Sequence, residues 1–158
     1  MPQTAAIALG SNLGDREANL LAAVEHLRAL GTVEKISSFH DTAPVGYLDQ
    51  PRFLNAAALL RTTLTPHDLL AALLAIEKTM GRDRAATVAK GPRVIDLDLL
   101  IYIREDGGDV VLDTPALILP HPAMHQRAFV LAPLAEIAPQ MQHPLLHRSI
   151  AELLAALS

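Results

Sequence analysis

Two stretches with helical periodicity alternate with short apolar stretches, and this alternation most restricts the fold. In the first helical stretch Leu20, Val24 and Leu27 recur at intervals of three or four residues behind Asp15, which can cap a helix. The second stretch follows a Thr-Pro pair, covers residues 66–80 and ends at a glycine. Each helix has one apolar face, so both must pack against another layer of structure.

Apolar stretches of strand length surround these helices. They cover residues 5–9, 33–41, 53–60 and 93–103. A turn at residues 105–108 predicts a hairpin that returns into residues 110–112, and further helices are expected from Ala123 and Ser149. The order β, α, β, β, α, β, with additions at the end, predicts an α+β fold in which helices pack on a mainly antiparallel sheet.

Composition narrows the expected classes of function. The 158 residues fit a single domain, 1–158, and the absence of cysteine excludes disulfides and thiolate chemistry. A net charge of −4 with only 3 Phe and 2 Tyr disfavours nucleic-acid binding. No apolar stretch is long enough for a bilayer, and the N-terminus lacks a signal peptide pattern, so a soluble, cytoplasmic protein is expected. The absence of an uncommitted apolar face favours a monomer.

Two carboxylates stand out in the last long strand. Asp96 and Asp98 alternate with Ile95, Leu97 and Leu99, so both carboxylates lie on one face of the strand. Acidic side chains this close repel each other unless a cation lies between them, and oxygen ligands without His or Cys favour magnesium. A pair of magnesium ions would fit. The alternative is an edge strand whose aspartates simply face water.

Several arginines flank one polar stretch, residues 82–92. Arg82 and Arg84 begin it and Arg93 follows it, with Glu77 upstream at the end of the second helix. Guanidinium groups bind phosphate oxygens in pairs of hydrogen bonds, so this stretch is a candidate mobile phosphate clamp. The alternative is a solvated loop whose arginines pair weakly with nearby acids.

A flat ligand is suggested by Phe53 and Asn55, which share one strand face. The ring can stack on a heteroaromatic ligand while the amide offers a donor and an acceptor to its edge. The preceding irregular stretch, Thr42 to Gly46, could offer free backbone groups to the same ligand. The alternative is a core aromatic residue beside a strand-to-loop hydrogen bond.

Two further motifs are ambiguous. His121 and His125 are four residues apart, as in a metal site on a helix, but the prolines on both sides of His121 argue against a helix there. His121 and Arg127 could contact a nucleotide phosphate, or could be a capping histidine and a surface arginine. Residues 10–15 resemble a phosphate-binding loop but lack the required Gly-Lys-Ser/Thr ending, which favours a structural turn.

Taken together, the motifs resemble the 6-hydroxymethyl-7,8-dihydropterin pyrophosphokinase family over nearly the whole chain. The matching segments are Ala-Leu-Gly-Ser-Asn-Leu-Gly-Asp from Ala8, Thr-Ala-Pro-Val-Gly from Thr42, Asp-Gln-Pro-Arg-Phe-Leu-Asn from Asp49, Gly-Pro-Arg-Val-Ile-Asp-Leu-Asp from Gly91, and Pro-His-Pro with Arg127 and Phe129. Five segments in the right order make the resemblance specific.

The resemblance implies a ferredoxin-like fold and pyrophosphoryl transfer from ATP to the pterin in folate biosynthesis. Asp96 and Asp98 would hold two magnesium ions, and with Arg82 and Arg93 they would form the catalytic set. The residues implied around ATP are Glu77, Arg82, Arg84, Arg93, Leu99, His121 and Arg127. Those implied around the pterin are Thr42, Pro44, Val45, Gly46, Phe53, Asn55 and Phe129.

Some positions depart from the family pattern. Lys90 replaces an aromatic residue before Gly-Pro-Arg, and the stretch around Ala116 and Ile118 lacks an Arg and a Thr that some members use toward ATP. No residue is an evident general base. Two other classes stay open: a ligand-binding module that does not need magnesium, and a metal-dependent phosphohydrolase that does not need a pterin.

Overall fold

The computed structural model describes residues 2–43, 50–81 and 93–157 of the chain. These residues form four α-helices, seven strands and a short 3-10 turn, in the order predicted for the first two helices and the strands around them. The elements are β1 (Gln3–Ser11), α1 (Arg16–Arg28), β2 (Thr32–Ile36), β3 (His40–Thr42), β4 (Phe53–Thr62), α2 (Pro66–Thr79), β5 (Asp96–Ile103), β6 (Leu112–Asp113), β7 (Ile118–Leu119), the 3-10 turn (Met124–Gln126), α3 (Ala128–Ile137) and α4 (Ile150–Ala156).

The main sheet has the strand order β2-β4-β1-β5, and β3 also pairs with β4. All of these pairings are antiparallel. β1 therefore lies in the centre between the two strands with which it pairs over most of its length. The predicted α+β fold with a mainly antiparallel sheet is confirmed, and the arrangement is ferredoxin-like.

Both long helices begin where the sequence predicts. The Asp15 side chain accepts a hydrogen bond from the Ala18 amide at 3.1 Å, and Gly14 before it has a φ of +75°, which glycine adopts without strain. Thr65 caps α2 in the same way through the Asp68 amide at 3.2 Å, with Pro66 in the first turn. The turn at residues 10–15 thus ends in the cap of α1, which is the structural role that the sequence favoured.

The alternating side chains of β1 divide the core between the two faces of the sheet. Ile7 and Leu9 lie in a cluster with buried residues of α1 and α2. Ala6 lies on the opposite face, in a cluster with buried residues of α3 and α4. The sheet is therefore covered on both faces by helices, and the two faces are called here the α1/α2 face and the α3/α4 face.

Several boundaries differ from the predictions. The strand expected over residues 33–41 is two strands, because Ser37 between them accepts the Ala57 amide hydrogen with its side chain at 2.9 Å. β5 begins at Asp96 instead of Arg93. The predicted turn at residues 105–108 does return beside β5, since Ile103 bridges Asp109 and the Val110 amide donates to the Tyr102 carbonyl at 3.1 Å. The hairpin is wrong only in its length, because Leu112 belongs to β6, which pairs with β7.

The helix expected from Ala123 is also divided. The residues that follow Ala123 form the 3-10 turn, and α3 starts only at Ala128, because Arg127 between them is extended, with φ −121° and ψ 102°. The helix expected from Ser149 is confirmed, with Ser149 as its cap. No helix in the described part of the chain is long and apolar enough to cross a membrane.

Candidate functional site

A cavity of about 280 Å³ opens on the α3/α4 face of the sheet, near the end of β1. It is lined by Ala8, Leu9, Gly10, Thr42, Ala43, Phe53, Asn55, Arg93, Asp96, Asp98, His121, Arg127 and Phe129. We call it the carboxylate cavity. Most of the candidate site residues within the described ranges meet here, although they are spread over more than half of the sequence. Pro44, Val45, Gly46, Arg82 and Arg84 lie outside the described residues, as does Lys90.

The sheet positions the two aspartates. Asp96 lies opposite Gly10 and Asp98 opposite Ala8 in the β1–β5 pairing, while Leu97 and Leu99 turn to the other face and are buried there. β5 is an edge strand of the sheet, as in the alternative in which the aspartates face water. The two carboxylates line the cavity and are partly exposed, so magnesium binding by Asp96 and Asp98 stays a prediction.

Arg93 pairs with the nearer carboxylate. Its guanidinium lies 2.9 Å from Asp96 Oδ2, and both side chains are largely shielded from water, with exposed fractions of 16% and 23%. The pair places a cation beside the carboxylates and inside the cavity. Among residues 2–43, 50–81 and 93–157, no group of three or more His, Cys, Asp or Glu side chains is arranged to hold a metal ion.

Two carboxylates without a third protein ligand still fit magnesium. This cation usually keeps several waters and binds through one or two carboxylates together with substrate phosphates. Zinc, in contrast, requires a nearly complete set of protein ligands. The donor set formed by Asp96 and Asp98 is therefore suited to a cation that a phosphorylated ligand helps to bind.

Phe53 and Asn55 lie on one side of the cavity, and Asn55 forms the hydrogen bond expected by the structural alternative. Asn55 is buried and its amide donates to the Thr42 hydroxyl, which joins β4 to β3 by a side-chain hydrogen bond. Phe53, Asn55 and Phe129 all line the cavity as well. The structural hydrogen bond thus exists, and it holds the amide at the cavity wall.

Gly10 is a cavity residue that the sequence interpretation missed. A Cβ atom at Gly10 would lie 2.9 Å from Asn55 Oδ1 and 3.6 Å from the Phe53 ring. The first distance is too short for an unstrained contact. The glycine therefore leaves room for the Asn55 amide. The available signal was a glycine directly after the predicted strand, residues 5–9.

Asn12 is the second residue that was missed. Its buried side chain donates to Gln50 Oε1 at 2.8 Å and to the Pro51 carbonyl at 3.1 Å, and its oxygen accepts from the Arg93 amide at 2.7 Å. Its backbone amide donates to the Arg93 carbonyl at 3.0 Å. One asparagine thus joins the turn after β1 to the segments before β4 and β5.

His121 has a capping role and also faces the cavity. Its Nδ1 accepts the Ala123 amide hydrogen at 3.2 Å, so the neutral ring carries its proton on Nε2, which makes that nitrogen a donor. Burial and then the positive charge of Arg127 hold the pKa of His121 below its ordinary value, while Asp96 opposes this shift. The neutral ring can donate to an anion but is unsuited to accept a proton at Nε2.

Arg127 and His125 point to different surroundings. The Arg127 guanidinium lies 5.6 Å from the centre of the Phe129 ring, within the range of a cation–π contact, and it lines the cavity beside His121. His125 instead meets the ring of His143 at a centroid distance of 6.0 Å. The structure does not bring His121 and His125 together as a metal site.

Two predicted ATP residues do not line the cavity. Glu77 and Leu99 are both buried, with exposed fractions of 2% and 4%. The Glu77 carboxylate accepts the Leu97 amide hydrogen at 2.8 Å, between the two aspartates. Its described contact therefore holds the backbone of β5, and the predicted contact with ATP stays a prediction for both residues.

Known proteins resemble this chain in sequence over most of its length. The family model for 7,8-dihydro-6-hydroxymethylpterin-pyrophosphokinase matches residues 6–139. The 2-amino-4-hydroxy-6-hydroxymethyldihydropteridine pyrophosphokinase of Bacillus subtilis is 49% identical over 144 residues, which cover 90% of this chain and 82% of the relative. The Pseudomonas aeruginosa protein of the same name is 43% identical over 158 residues, covering 99% of this chain and 93% of the relative.

Solved structures show the same fold at much lower identity. The wild-type HPPK-DHPS of Plasmodium falciparum with pteroate superimposes with a TM-score of 0.72 at 16% identity. The match covers 99% of this chain but only 42% of that protein. At this identity the likeness supports the fold alone.

Proposed function

The chain belongs to the 7,8-dihydro-6-hydroxymethylpterin-pyrophosphokinase family, and we propose that the carboxylate cavity is the site at which it carries out the family's reaction. It is a pyrophosphokinase of folate biosynthesis that transfers a pyrophosphoryl group from ATP to 6-hydroxymethyl-7,8-dihydropterin. The products are AMP and the pterin pyrophosphate ester. We also propose that residues 1–158 act as one domain and as a monomer.

One observation supports the assignment of this reaction to the cavity. Two carboxylates and two phenylalanine rings, from distant parts of the sequence, line the same space. A flat ring held by the aromatic side chains would place its hydroxymethyl group toward the charged side, where a polyphosphate would lie. Two reactants held in this way react as if within one molecule, which supplies a large part of the rate acceleration.

The bond changes define what the site must do. The pterin hydroxyl oxygen forms a bond to the β-phosphorus of ATP, and the bond from that phosphorus to the α,β-bridging oxygen breaks, so that AMP leaves. The hydroxyl proton is lost. No described side chain at the cavity is an evident base for it, since His121 presents a donor at Nε2. Catalysis then rests on position and charge.

Asp96 and Asp98 would hold two magnesium ions. When bound, these ions would neutralise phosphate charge and polarise the reacting oxygens. The aspartates lie on adjacent positions of one face of β5, and Glu77 fixes the amide of the residue between them. The protein's part is to keep the two carboxylates at this spacing while substrates enter and leave.

The cationic residues would bind the phosphates. Arg93 and Arg127 line the cavity together with His121, and a guanidinium can hold two phosphate oxygens at once. Arg93 would then exchange part of its contact with Asp96 for phosphate. Arg82 and Arg84 are proposed to complete this group, and Glu77 and Leu99 to contribute to ATP binding, on the strength of the family resemblance.

The pterin would bind where the phenylalanine rings line the cavity, next to Arg127. Phe53 and Phe129 would stack on its faces, and Asn55, held by Thr42, would hydrogen-bond to its edge. Pro44, Val45 and Gly46 are proposed to complete this pocket. Because the edge contact depends on the buried amide, a pterin lacking the matching donors and acceptors would leave that amide unsatisfied and bind poorly.

The assay that tests this proposal compares products with and without the pterin. Purified protein is incubated with ATP, magnesium and 6-hydroxymethyl-7,8-dihydropterin, and nucleotides are separated by chromatography. AMP that forms only with the pterin is the expected result. ADP, or phosphate release without the pterin, would indicate a phosphohydrolase instead, and pterin binding without magnesium or turnover would indicate a binding module.

A further inference from the structure

A group of hydrogen bonds at the far end of α3 has no part in the site described so far. The Glu136 carboxylate accepts the Ser38 amide hydrogen at 2.9 Å, and the Ser38 hydroxyl at 2.5 Å and 3.0 Å from its two oxygens. His40 Nε2 lies 3.4 Å from Glu136 Oε2. We call the bonds between these two residues the Ser38–Glu136 clasp.

We propose that Ser38 and Glu136 are positioning residues that set the distance between the two walls of the pterin side of the cavity. This inference rests on the proposed function of the cavity. One wall is Phe129 on α3, and the other is formed by Thr42 and Asn55 on β3 and β4. The clasp joins the helix of the first wall to the strand of the second.

On the helix side, the clasp acts through α3. Glu136 and Phe129 lie on this helix, about two turns apart. Pro133 between them cannot donate a backbone hydrogen bond, so a shift at Glu136 reaches Phe129 through the remaining backbone bonds of the helix. The helix packs on the sheet through apolar side chains such as Val130, Leu131 and Leu134. Apolar contacts are non-directional, whereas the hydrogen bonds of the clasp depend on distance and angle and so favour one position of the helix end.

On the strand side, the clasp is anchored to the sheet. Ser38 follows Ser37, whose amide donates to the Ala57 carbonyl at 2.9 Å and whose hydroxyl oxygen accepts the Ala57 amide hydrogen at 2.9 Å. β3 begins two residues after Ser38 and ends at Thr42, which accepts the Asn55 amide. The bonds at Ser38 are thus continuous with the wall that would read the pterin edge.

Lys35 adds a second contact between the same parts of the molecule. Its Nζ donates to the Ile137 carbonyl at 3.4 Å, at the last residue of α3. The carboxylate of Glu136 is charged near neutral pH, as glutamates ordinarily are, and the hydrogen bond from the Ser38 hydroxyl is the main cause that lowers its pKa further. The end of α3 is therefore bound to β2 and to the β2–β3 connection, through a backbone carbonyl and a charged acceptor.

The group is unsuited to a hydrolytic role of its own. A serine, a histidine and a carboxylate act together only when the serine and the acid contact different nitrogens of the ring. Here Ser38 Oγ and Glu136 Oε2 both lie 3.4 Å from the same atom, His40 Nε2. The ring cannot pass a proton between them, and the serine bonds directly to the acid.

The test measures each substrate separately in Glu136→Gln and Ser38→Ala. We expect the KM for the pterin to rise about threefold to tenfold in both variants, a coupling of the size that distant contacts exert on a site. The KM for ATP and the thermal unfolding midpoint stay near the wild-type values. Both substitutions weaken the bond between the Ser38 hydroxyl and Glu136, so their effects in the double variant are expected to be less than additive.

The matched control is Glu152→Gln. Glu152 and Ser149 also form a bonded serine–glutamate pair, at the start of α4 and outside the cavity lining. The Glu152 carboxylate accepts the Ser149 amide hydrogen at 3.0 Å, and the Ser149 hydroxyl oxygen accepts the Glu152 amide hydrogen at 3.1 Å. A wild-type KM for the pterin in both clasp variants would overturn the inference. So would a rise that the Glu152 variant shares, or one that follows a loss of thermal stability. A wild-type protein that makes no AMP would instead overturn the proposed function.

Discussion

The carboxylate cavity and the C-terminal segment, residues 141–157, are both rich in polar side chains but differ in the reach of their hydrogen bonds. At the cavity Asn12 bonds to the Arg93 amide, 81 positions away. In the C-terminal segment Ser149 bonds to Glu152 over 3 positions, and His143 to the Leu145 amide over 2. The family match ends at residue 139, before this segment begins.

The difference in sequence separation indicates that the two regions support different properties of the protein. Long-range bonds at the cavity bring together residues that no local structure would place side by side, so they are expected to matter for turnover. Short-range bonds in the C-terminal segment pair the backbone amides at the start of α4 and in the turn before it. They are therefore expected to matter for folding. Substitutions in the two regions should therefore change different measured quantities.

The largest effect is expected from Asp98→Ala. Loss of a proposed magnesium ligand should lower kcat about 10³-fold, because stabilisation of the transferring group is the main source of catalysis. The measurement is AMP formation at saturating substrates and magnesium. Full turnover in this variant would contradict the assignment of activity to the cavity. The control is Glu152→Gln, in the C-terminal segment, which should retain normal turnover.

A smaller loss is expected from Gly10→Ala. The added Cβ would lie only 2.9 Å from Asn55 Oδ1. It would therefore displace the Asn55 amide and disturb the edge of the proposed pterin pocket. The KM for the pterin should rise about tenfold, the cost of one poorly placed hydrogen bond to a ligand. Equal KM values for the variant and the wild type would show that the close approach has no role in binding.

Ser149→Ala tests the opposite region. Loss of the cap of α4 should lower the free energy of unfolding by about 1 kcal/mol and leave kcat and both KM values unchanged. Urea unfolding and steady-state kinetics measure the two effects. A change in pterin KM without a change in stability would contradict the separation drawn between the two regions.

The smallest effect concerns pH and the buried His143. Its Nδ1 accepts the amide hydrogens of Leu145 and Leu146 at 3.2 Å and 3.1 Å, so the fold requires the neutral ring. Burial, and then the nearby His125 and His147, hold the pKa of His143 below its ordinary value of 6.5. The contribution of this residue is therefore complete above about pH 6.5 and is lost as the pH falls below it.

This prediction is measured by titrating His143 by NMR and by comparing urea unfolding at pH 8 and pH 5. His143→Asn keeps an acceptor in the position of Nδ1 but does not titrate, so its stability should depend less on pH than that of the wild type. A native-state pKa at or above 6.5, or an equal pH dependence in the variant, would contradict the assignment.

Local signals in the sequence predicted the elements well. Asp15, Thr65 and Ser149 cap helices where their positions indicated, because each cap depends on residues only a few positions away. Local signals failed where another segment competes for the backbone. Ser37 divides the expected second strand by its bond to Ala57, and β6 pairs with β7 although a hairpin to β5 was expected.

The candidate site could be predicted only in part. The alternation around Asp96 and Asp98 placed both carboxylates on one strand face, and the family motifs collected the remaining residues. Neither source showed that Asn12 joins three segments or that Gly10 leaves room for Asn55. These roles depend on which strands become neighbours, and that information is absent from any single segment.

The sequence by itself determined the first two helices, the helix caps and the face of β5 that carries the carboxylates, because periodicity and capping act over a few residues. Only the tertiary structure decided which side chains share the carboxylate cavity and which, like Glu77, instead hold the strand behind it. The reason is physical. Pairing β1 with both β4 and β5 brings Gly10 next to Asn55 and Asp96 at once, and this juxtaposition exists only in the folded sheet.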